Sequence, residues 1–160
     1  MELRKATLAD VEAITALEAA CFPSAEAAPR ASFQKRLEVF ADRFWLLWDG
    51  DRLVSMVNGM VTEQEELVDE MFADASMHQE NGPWQMIFGV ATHPDYQCRG
   101  LAAQVLQRAI DDCKAEGRKG LILTCKEQKL HYYAKFGFVN QGVSVSEHGG
   151  ALWYQMKLEF

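Results

Sequence analysis

The sequence predicts a mixed α/β fold of the α+β kind, in which strands precede and follow a central strand–helix–strand unit. The first observation is an apolar strand, Met86 to Ala91, that breaks at Thr92–Asp95 and is followed by an amphipathic helix from Leu101. The second is a short apolar strand, Gly120 to Thr124, beyond that helix. The third is a hairpin signal on each side of this unit. We expect residues 1–160 to form a single domain, because that length suffices for one core.

The N-terminal part is predicted to contain an edge strand and two helices. The strand is Met1 to Thr7, and the spacing of Thr7 and Asp10 is that of a capping box with Asp in place of Glu. The first helix then ends near Cys21–Pro23. Apolar residues at i, i+4 and i+7 from Phe33 indicate a second, short amphipathic helix.

A hairpin and a long polar segment follow. Strands Phe44 to Trp48 and Leu53 to Met60 flank Asp49-Gly50, a pair that favours a type I′ turn. The segment Thr62 to Gly82 is the most polar part of the chain, and we expect one helical turn around Leu67 to Phe72. Loops of that length inside a compact domain are usually functional or mobile.

The C-terminal part is predicted to complete the sheet. The central helix ends at Gly117, which suits the position after a helix C-terminus. A further helix spans Gln128 to Lys135. Strands Phe138 to Ser146 and Leu152 to Leu158 then alternate around a hairpin at His148–Gly150.

Composition and charge exclude several classes of protein. A hydrophobic fraction of 49% with 24% charged residues is ordinary for a globular protein, and no apolar run is long enough for a membrane span. The net charge of −7 disfavours nucleic acid as a partner and mildly favours a cationic one. The four cysteines and four histidines are scattered, so we expect reduced thiols, no metal site and a cytoplasmic location.

The segment from Gln97 to Ala103 has the features of a phosphate-binding loop. A strand, a glycine-containing turn and a helix in that order aim unpaired backbone N–H groups and a positive dipole end at one point. Gly100 allows close approach of the backbone, and Ala102 is too small to obstruct it. Arg99 is either a phosphate partner or a solvated loop cation, and Cys98 is either an activated thiol or merely a small side chain.

Three motifs together resemble one known family. Gln97-x-x-Gly100-x-Ala102, after the strand end Val90-x-x-x-Pro94-x-Tyr96, resembles the acetyl-CoA pyrophosphate loop of the GNAT N-acetyltransferase superfamily. Leu123–Lys126 followed by Tyr132–Phe138 resembles the later strand and the Tyr-x-x-x-Gly-Phe element of that family. Cys21-Phe22-Pro23, with the late Gly-Gly hairpin, resembles the arylalkylamine (serotonin-type) N-acetyltransferase branch.

The resemblance implies a fold and a cofactor. The GNAT fold has a mixed central sheet of about six or seven strands, splayed at the cofactor site and flanked by about four helices. The cofactor is acetyl-CoA, whose pantetheine arm bonds to the strand end, where one N–H also polarises the thioester carbonyl. The residues expected to bind it are Val90, Ala91, Thr92, Gln97, Cys98, Arg99, Gly100, Leu101, Ala102 and Ala103.

The resemblance also implies a general acid and an acceptor pocket. Tyr133 stands four residues before Gly137, the position of the family's acid that protonates the departing thiolate; a tyrosine stacked in the core is the alternative. That role requires either a local field that lowers its pKa or a desolvated thiolate. The acceptor pocket is expected to be lined by Phe22, Pro29, Met86 and Phe88.

The general base is left open by the sequence. Met86 and Phe88 stand where serotonin-type enzymes place two histidines that relay the proton of the amine, and neither side chain carries a proton. The relay is then made of water and backbone groups, or the acceptor has a lower pKa, or another residue replaces the histidines. The candidates for a replacement are Glu66, Asp69, Glu70, His93 and His148.

The resemblance therefore predicts an acetyl-CoA-dependent N-acetyltransferase in which a primary amine attacks the thioester directly. The acceptor is expected to be a small arylalkylamine or polyamine. A protein N-terminus or lysine is the alternative acceptor, and a non-catalytic acyl-CoA-binding module is the alternative of another class. Monomer and homodimer are both open.

Overall fold

The computed structural model describes residues 1–160, which form nine strands in two sheets. The first sheet has the order β1-β2-β3-β6, and the second has the order β4-β5-β7-β9-β8. The strands are β1 Glu2–Lys5, β2 Phe44–Asp49, β3 Arg52–Asn58, β4 Val61–Thr62, β5 Trp84–Ile87, β6 Gly89–Thr92, β7 Gly120–Cys125, β8 Val139–Val143 and β9 Tyr154–Glu159. This mixed architecture confirms the predicted fold class.

Five α-helices accompany the sheets. They are α1 Val11–Cys21, α2 Arg30–Phe40, α3 Glu70–Ala73, α4 Leu101–Ala115 and α5 Leu130–Ala134. The capping box before α1 is present, since the Asp10 carboxylate accepts from the Thr7 amide at 2.8 Å. No helix is both long and apolar enough to cross a lipid bilayer.

The two sheets are joined by a β-bulge in the central strand. The predicted strand from Met86 is interrupted at Phe88, so that β5 and β6 belong to different sheets. The Phe88 amide donates to the Asn58 carbonyl at 2.7 Å, and Gly89 is paired with the same Asn58. Phe88 and Gly89 thus both oppose Asn58, and the strand bends at this point. Because the predicted strand is divided into β5 and β6, the number of strands rises above the six or seven that were expected.

The sheets diverge immediately beyond this bulge. β5 runs parallel to β7, with Trp84 opposite Gly120 and Ile87 opposite Leu123. β6 then pairs only with β3, whereas the end of β7 pairs only with β9. A V-shaped gap therefore opens between β6 and the C-terminal end of β7.

Two hydrophobic clusters hold the helices on opposite sides of the sheets. One contains fully buried Phe33 and Phe40 of α2 together with Phe44 and Met86. The other contains the apolar face of α4, Val105, Leu106 and Ala109, packed against residues of β2, β3 and β7. Burial of several large side chains on each side fixes where the ends of α1 and α4 meet the gap.

Two local expectations need correction or refinement. The β2–β3 hairpin is present, but its two central residues are Gly50 and Asp51, and only Gly50 has a positive φ. A type I′ turn needs positive φ at both positions, so that prediction is wrong. The polar segment 62–82 does contain the expected helical turn, as α3, and it is anchored by fully buried Leu67 and Met71.

Candidate functional site

Backbone groups of β6 face the gap between the two sheets. The His93 amide donates to the Val54 carbonyl at 2.8 Å, which fixes the hydrogen-bonding phase of the antiparallel β3–β6 ladder. Bonded pairs alternate with non-bonded pairs in such a ladder, so the N–H and C=O groups of Val90 and Thr92 point away from β3. The Cys21 thiol donates to the Thr92 carbonyl from across the gap at 3.2 Å.

A loop with unpaired amides lies at one end of the gap. From Gln97 to Ala103 no backbone amide donates to a protein acceptor, and the first helical bond of α4 runs from the Gln104 amide to the Gly100 carbonyl at 3.1 Å. Gly100 has φ +74°, and Cys98 is the only non-glycine residue with a positive φ, at +63°. The loop therefore presents several donors at the positive end of a 15-residue helix, an arrangement that binds an anionic phosphate.

A cavity of about 490 Å³ connects this loop to the gap. It is lined by every residue expected to bind the cofactor except Arg99, together with Cys21, Phe22, Tyr96, Lys129, Tyr132 and Tyr133. Arg99 instead lies over the Tyr96 ring, with its guanidinium carbon 5.1 Å from the ring centroid. This lining fits a coenzyme A thioester, which is an anionic diphosphate joined to an apolar arm. The unpaired backbone amides and Lys129 suit the diphosphate, and the apolar wall suits the arm.

Tyr133 lies where this first cavity meets a second one. Its ring is half-buried in α5 and packs edge-to-face on Tyr132 at 5.1 Å and on Phe138 at 6.1 Å. Its hydroxyl has no hydrogen-bond partner in the protein, and Tyr133 lines both cavities. Burial, assisted by Cys125 and Tyr132, raises the pKa of Tyr133, so no local field lowers it and the phenol keeps its proton at neutral pH.

The second cavity, of about 300 Å³, leads to a third of about 260 Å³. Phe22 lines the first and second cavities, Phe88 the second and third, and Pro29 the third alone. Met86 is fully buried in the core and lines none of these cavities, because the strand segment before the bulge is covered on both faces. The structure therefore brings Phe22, Phe88 and Pro29 together and leaves Met86 apart.

A cover formed by two loops closes the second and third cavities. The His148 ring donates from Nε2 to the Glu26 carbonyl at 2.7 Å, since a carbonyl oxygen can only accept. The ring also stacks on Phe72 at 5.0 Å, and the Trp153 indole donates to the His148 carbonyl at 2.8 Å. The Ser146 hydroxyl holds the hairpin to Asp69 at 2.5 Å. We call residues 146–153 with the facing loop 22–29 the cover.

The candidates for a general base occupy different places. Glu66 and Glu70 are exposed and line none of these cavities. His93 faces outward, where its ring contacts the Arg52 guanidinium at 3.0 Å. Asp69 lines the third cavity, but its oxygens already accept from the Ser146 hydroxyl and the Glu147 amide. His148 is the one candidate that lines both the second and third cavities.

Sequence reasoning missed several charged residues of these cavities, among them Lys129 and Glu18. Lys129 lines the first and second, and Glu18 lines the second and third. A signal for Glu18 existed, because it continues the apolar spacing of Val11 and Ile14 on the inner face of α1. An acidic residue at a core-facing helical position is rare unless it is paired or functional.

Two of the three cysteines that line these cavities, Cys21 and Cys125, are poor nucleophiles. Burial, reinforced by Glu18, raises the pKa of the Cys21 thiol to about 11, and burial alone raises that of Cys125 to about 11. Only the thiolate attacks a thioester, so both side chains are unreactive near neutral pH. This chemistry argues against a covalent acyl-enzyme at Cys21 or Cys125.

Comparison with known proteins gives one family match and several structural likenesses. The sequence model of a family described as an acetyltransferase (GNAT) domain matches residues 2–140. In structure, the chain is similar to a GNAT-like decarboxylase, GphF, in complex with isobutyryl-CoA, with 14% identity, a TM-score of 0.86 and 99% of each chain covered.

Two acetyltransferase structures are also similar. The ribosomal-protein-S18-alanine N-acetyltransferase from Escherichia coli shares 16% identity at a TM-score of 0.73, over 99% of this chain and 92% of that one. The paia N-acetyltransferase from Thermoplasma acidophilum, in complex with coenzyme A, shares 12% identity at a TM-score of 0.73, over 99% and 98%. At sequence identities of 12% to 16%, these structural likenesses establish the fold alone.

Proposed function

Because the chain belongs to the GNAT acetyltransferase family, with acetyl-CoA as its acyl donor, we propose that it acetylates a small primary amine by direct attack on the thioester. The observation that carries this proposal is the position of Tyr133, which lines both the cavity with the unpaired amides and the aromatic second cavity. One cavity suits the donor and the other the acceptor. We propose that residues 1–160 act as one catalytic unit, because these cavities take residues from Glu18 to Trp153.

On the donor side the main chain does most of the binding. The amides from Gln97 to Ala103 bind the diphosphate of the donor, and Gly100 lets the backbone approach it closely. The exposed backbone groups of Val90 and Thr92 pair with the pantetheine arm and orient the thioester in the gap. Arg99 remains a rim cation in this proposal, because it lies over Tyr96 outside the cavity.

The proton of Tyr133 completes the transfer. As the nitrogen–carbon bond forms and the carbon–sulfur bond breaks, the Tyr133 phenol gives its proton to the departing sulfur. Burial raises the pKa of Tyr133, yet the same desolvation raises the pKa of a thiol formed beside it, so the transfer need not be strongly uphill. Water excluded from the gap would therefore help rather than hinder this step.

The acceptor is a small amine of the arylalkylamine type. Phe22, Phe88 and Trp153 give the second cavity aromatic walls, and the His148–Glu26 bond closes the cover above it. A protein N-terminus or lysine would need that cover to open, which makes a macromolecular acceptor the less favoured alternative. The proposed location is the cytoplasm, consistent with four free thiols, and the proposed assembly is a monomer or a homodimer.

A thiol-release assay over a panel of amines tests this function. Acetyl-CoA is supplied with arylalkylamines, polyamines and an alanine-terminated peptide, and coenzyme A release is followed with time. Malonyl-CoA without an amine is a further arm, followed by release of carbon dioxide because decarboxylation frees no thiol, since one structural relative is described as a decarboxylase. Turnover with arylalkylamines supports the proposal, whereas coenzyme A binding without turnover of any acceptor would favour a non-catalytic module.

Tyr133→Phe tests the acid in the same assay. We expect kcat to fall by about 100-fold, or roughly 2.7 kcal/mol, because only the hydroxyl is lost. The KM for acetyl-CoA should be nearly unchanged, since the ring packing on Tyr132 and Phe138 is retained. Tyr154→Phe on β9, which lines none of the three cavities, is the matched control. Equal activity of both variants would assign the proton to another donor.

A further inference from the structure

A carboxylate with one unpaired oxygen lies beneath the acceptor cavities. Glu18 is only 7% exposed, and its Oε2 accepts from the Ala28 amide at 3.0 Å. Its Oε1 is fully buried and has no hydrogen-bond partner. A buried carboxylate oxygen without a donor is costly for the fold, so its retention calls for a ligand or a catalytic explanation.

The unpaired oxygen points to the place where the sheets split. A Cβ built on Gly89 would lie 3.8 Å from Glu18 Oε1, and Gly89 is the second residue of the β-bulge. Because Gly89 has no side chain, no Cβ separates the carboxylate from the strand that holds the thioester in the proposed function. Glu18 therefore faces both the acceptor cavities and the beginning of the donor site.

The reaction needs a group of this kind. An alkylamine with a pKa of about 10.4 is neutral in only roughly one molecule of 2,500 at pH 7, and only the neutral amine attacks a thioester. Met86 is buried in the core and Phe88 cannot accept a proton. Asp69 is already hydrogen-bonded, and His148 donates from Nε2 to a carbonyl.

We propose that Glu18 is a catalytic residue that binds the ammonium group of the acceptor and removes its proton before attack. This inference rests on the proposed amine acetylation and extends it to the base. The proton passes from the amine nitrogen to Glu18 Oε1, and the freed lone pair forms the bond to the acetyl carbon. After turnover the carboxylic acid returns its proton to water through the third cavity.

The electrostatic surroundings suit a base. Burial raises the pKa of Glu18, while the Ala28 amide, the Arg36 guanidinium and His148 act in the opposite direction. A carboxylate whose pKa is raised by burial is a stronger base than an exposed one. The charged or titratable groups that share its cavities or its helix are Glu12, Cys21, Glu26, Arg36, Asp69, Cys125, Lys126, Lys129, Tyr133 and His148.

These neighbours also select the acceptor by charge. Glu26 is paired with the Lys126 ammonium at 2.9 Å, and Asp69 is bonded to the 146–150 hairpin. Glu18 is therefore the only carboxylate of the two cavities with a fully buried oxygen that accepts no hydrogen bond. A second ammonium on a polyamine would find the other two carboxylates, Glu26 and Asp69, already paired, and would meet the positive charge of Arg36 or Lys126. The site thus favours an amine with one positive charge and an apolar aromatic body.

Glu18→Gln tests the base, because the amide keeps the size and can still accept from Ala28. With 2-phenylethylamine at pH 7 we expect kcat/KM to fall at least 100-fold. The loss should shrink to a few-fold with β,β-difluoro-2-phenylethylamine, a much weaker base, and it should also shrink as the pH rises towards 10. Glu12→Gln, an exposed glutamate on the same helix, is the matched control and should keep wild-type activity.

A merely structural role would give a different pattern. In that case Glu18→Gln would lose the same factor with both amines and at every pH, and the proposal would be refuted. Unchanged activity of the variant would refute it as well while leaving amine acetylation standing. Wild-type protein that acetylates no amine would overturn the proposed function and this inference together.

Binding measurements provide a readout that is independent of turnover. In calorimetry with coenzyme A present, Glu18→Gln should weaken the binding of 2-phenylethylamine by at least 10-fold. The affinity for the uncharged 2-phenylethanol should stay the same. Equal effects on both ligands would contradict an ammonium contact. If the Gln variant does not fold, Glu18→Asp is used instead, because it keeps the charge. The Asp variant should retain amine binding with a reduced kcat. If it binds 2-phenylethylamine no more tightly than 2-phenylethanol, the proposal is contradicted.

Discussion

Replacement of Gly100 by alanine tests the phosphate-binding loop in a way that separates ligand contact from backbone strain. Gly100 precedes α4 with φ +74°, and Gly117 follows it with φ +78°. A Cβ would meet no atom within 4 Å at either position. Gly100 lines the first cavity and Gly117 does not, so the two substitutions differ only in their relation to the donor.

Both variants should lose similar stability. A left-handed conformation costs a residue with a Cβ about 1–2 kcal/mol, and neither site adds a steric clash. For a chain of this size that loss lowers Tm by roughly 2–8 °C. Differential scanning calorimetry of Gly100→Ala and Gly117→Ala should therefore give two nearly equal shifts.

Only Gly100→Ala should weaken the binding of coenzyme A. If the methyl group displaces the diphosphate from one amide, a hydrogen bond to a charged group worth about 1.5–3 kcal/mol is lost. That corresponds to a dissociation constant roughly 10- to 150-fold higher by isothermal titration calorimetry. The assignment of the loop fails if Gly117→Ala weakens binding equally, or if Gly100→Ala binds as tightly as the wild type.

Two further predictions concern thiols and acid stability. Cys125→Ala should retain turnover within a few-fold, and loss of all activity would instead indicate an acyl-enzyme at this residue. In the wild type, iodoacetamide should label Cys125 slowly at pH 7.5 and faster only as the pH approaches about 11. The extent of labelling is measured by mass spectrometry. The Arg4 guanidinium holds the pKa of Asp10 below its unfolded value, so the stabilisation is present at neutral pH and is lost as pH falls through the folded pKa. Asp10→Asn should lower the free energy of unfolding by about 1 kcal/mol at pH 7, as measured by urea titration. The difference in unfolding free energy between variant and wild type should vanish in strong acid. A difference that stays constant across pH would exclude this ion pair as its source.

The donor side of the site could be predicted from the sequence because it is local. Gly100 and the start of α4 form a turn whose geometry depends on neighbouring residues, and the structure gathers the predicted loop residues around one cavity. The alternation of strands and helices was predictable for the same reason, since each element carries its own apolar period. Only Arg99 among the expected cofactor contacts lies outside that cavity.

The acceptor side depended on pairings that no local pattern displays. The bulge at Phe88 and Gly89 exists because both residues oppose Asn58, thirty residues earlier in the chain. That shift buries Met86 and turns Phe88 into the cavity, so two positions that look equivalent in sequence have opposite environments. Glu18 was visible as a polar residue on an apolar helix face, but its nearness to Gly89 required the tertiary structure.

The hairpin that bears His148 has a consequence for how new specificities could arise. The family match ends at residue 140, whereas His148 and Trp153, which line the second cavity, lie beyond it. Part of the wall of the proposed acceptor cavity is thus encoded after the matched stretch, while Glu18, Phe22 and Phe88 are encoded within it. A graft of residues 144–153 from a homologue should retune acceptor preference while coenzyme A affinity stays constant, which makes this short tail a natural target for engineering and for evolutionary divergence.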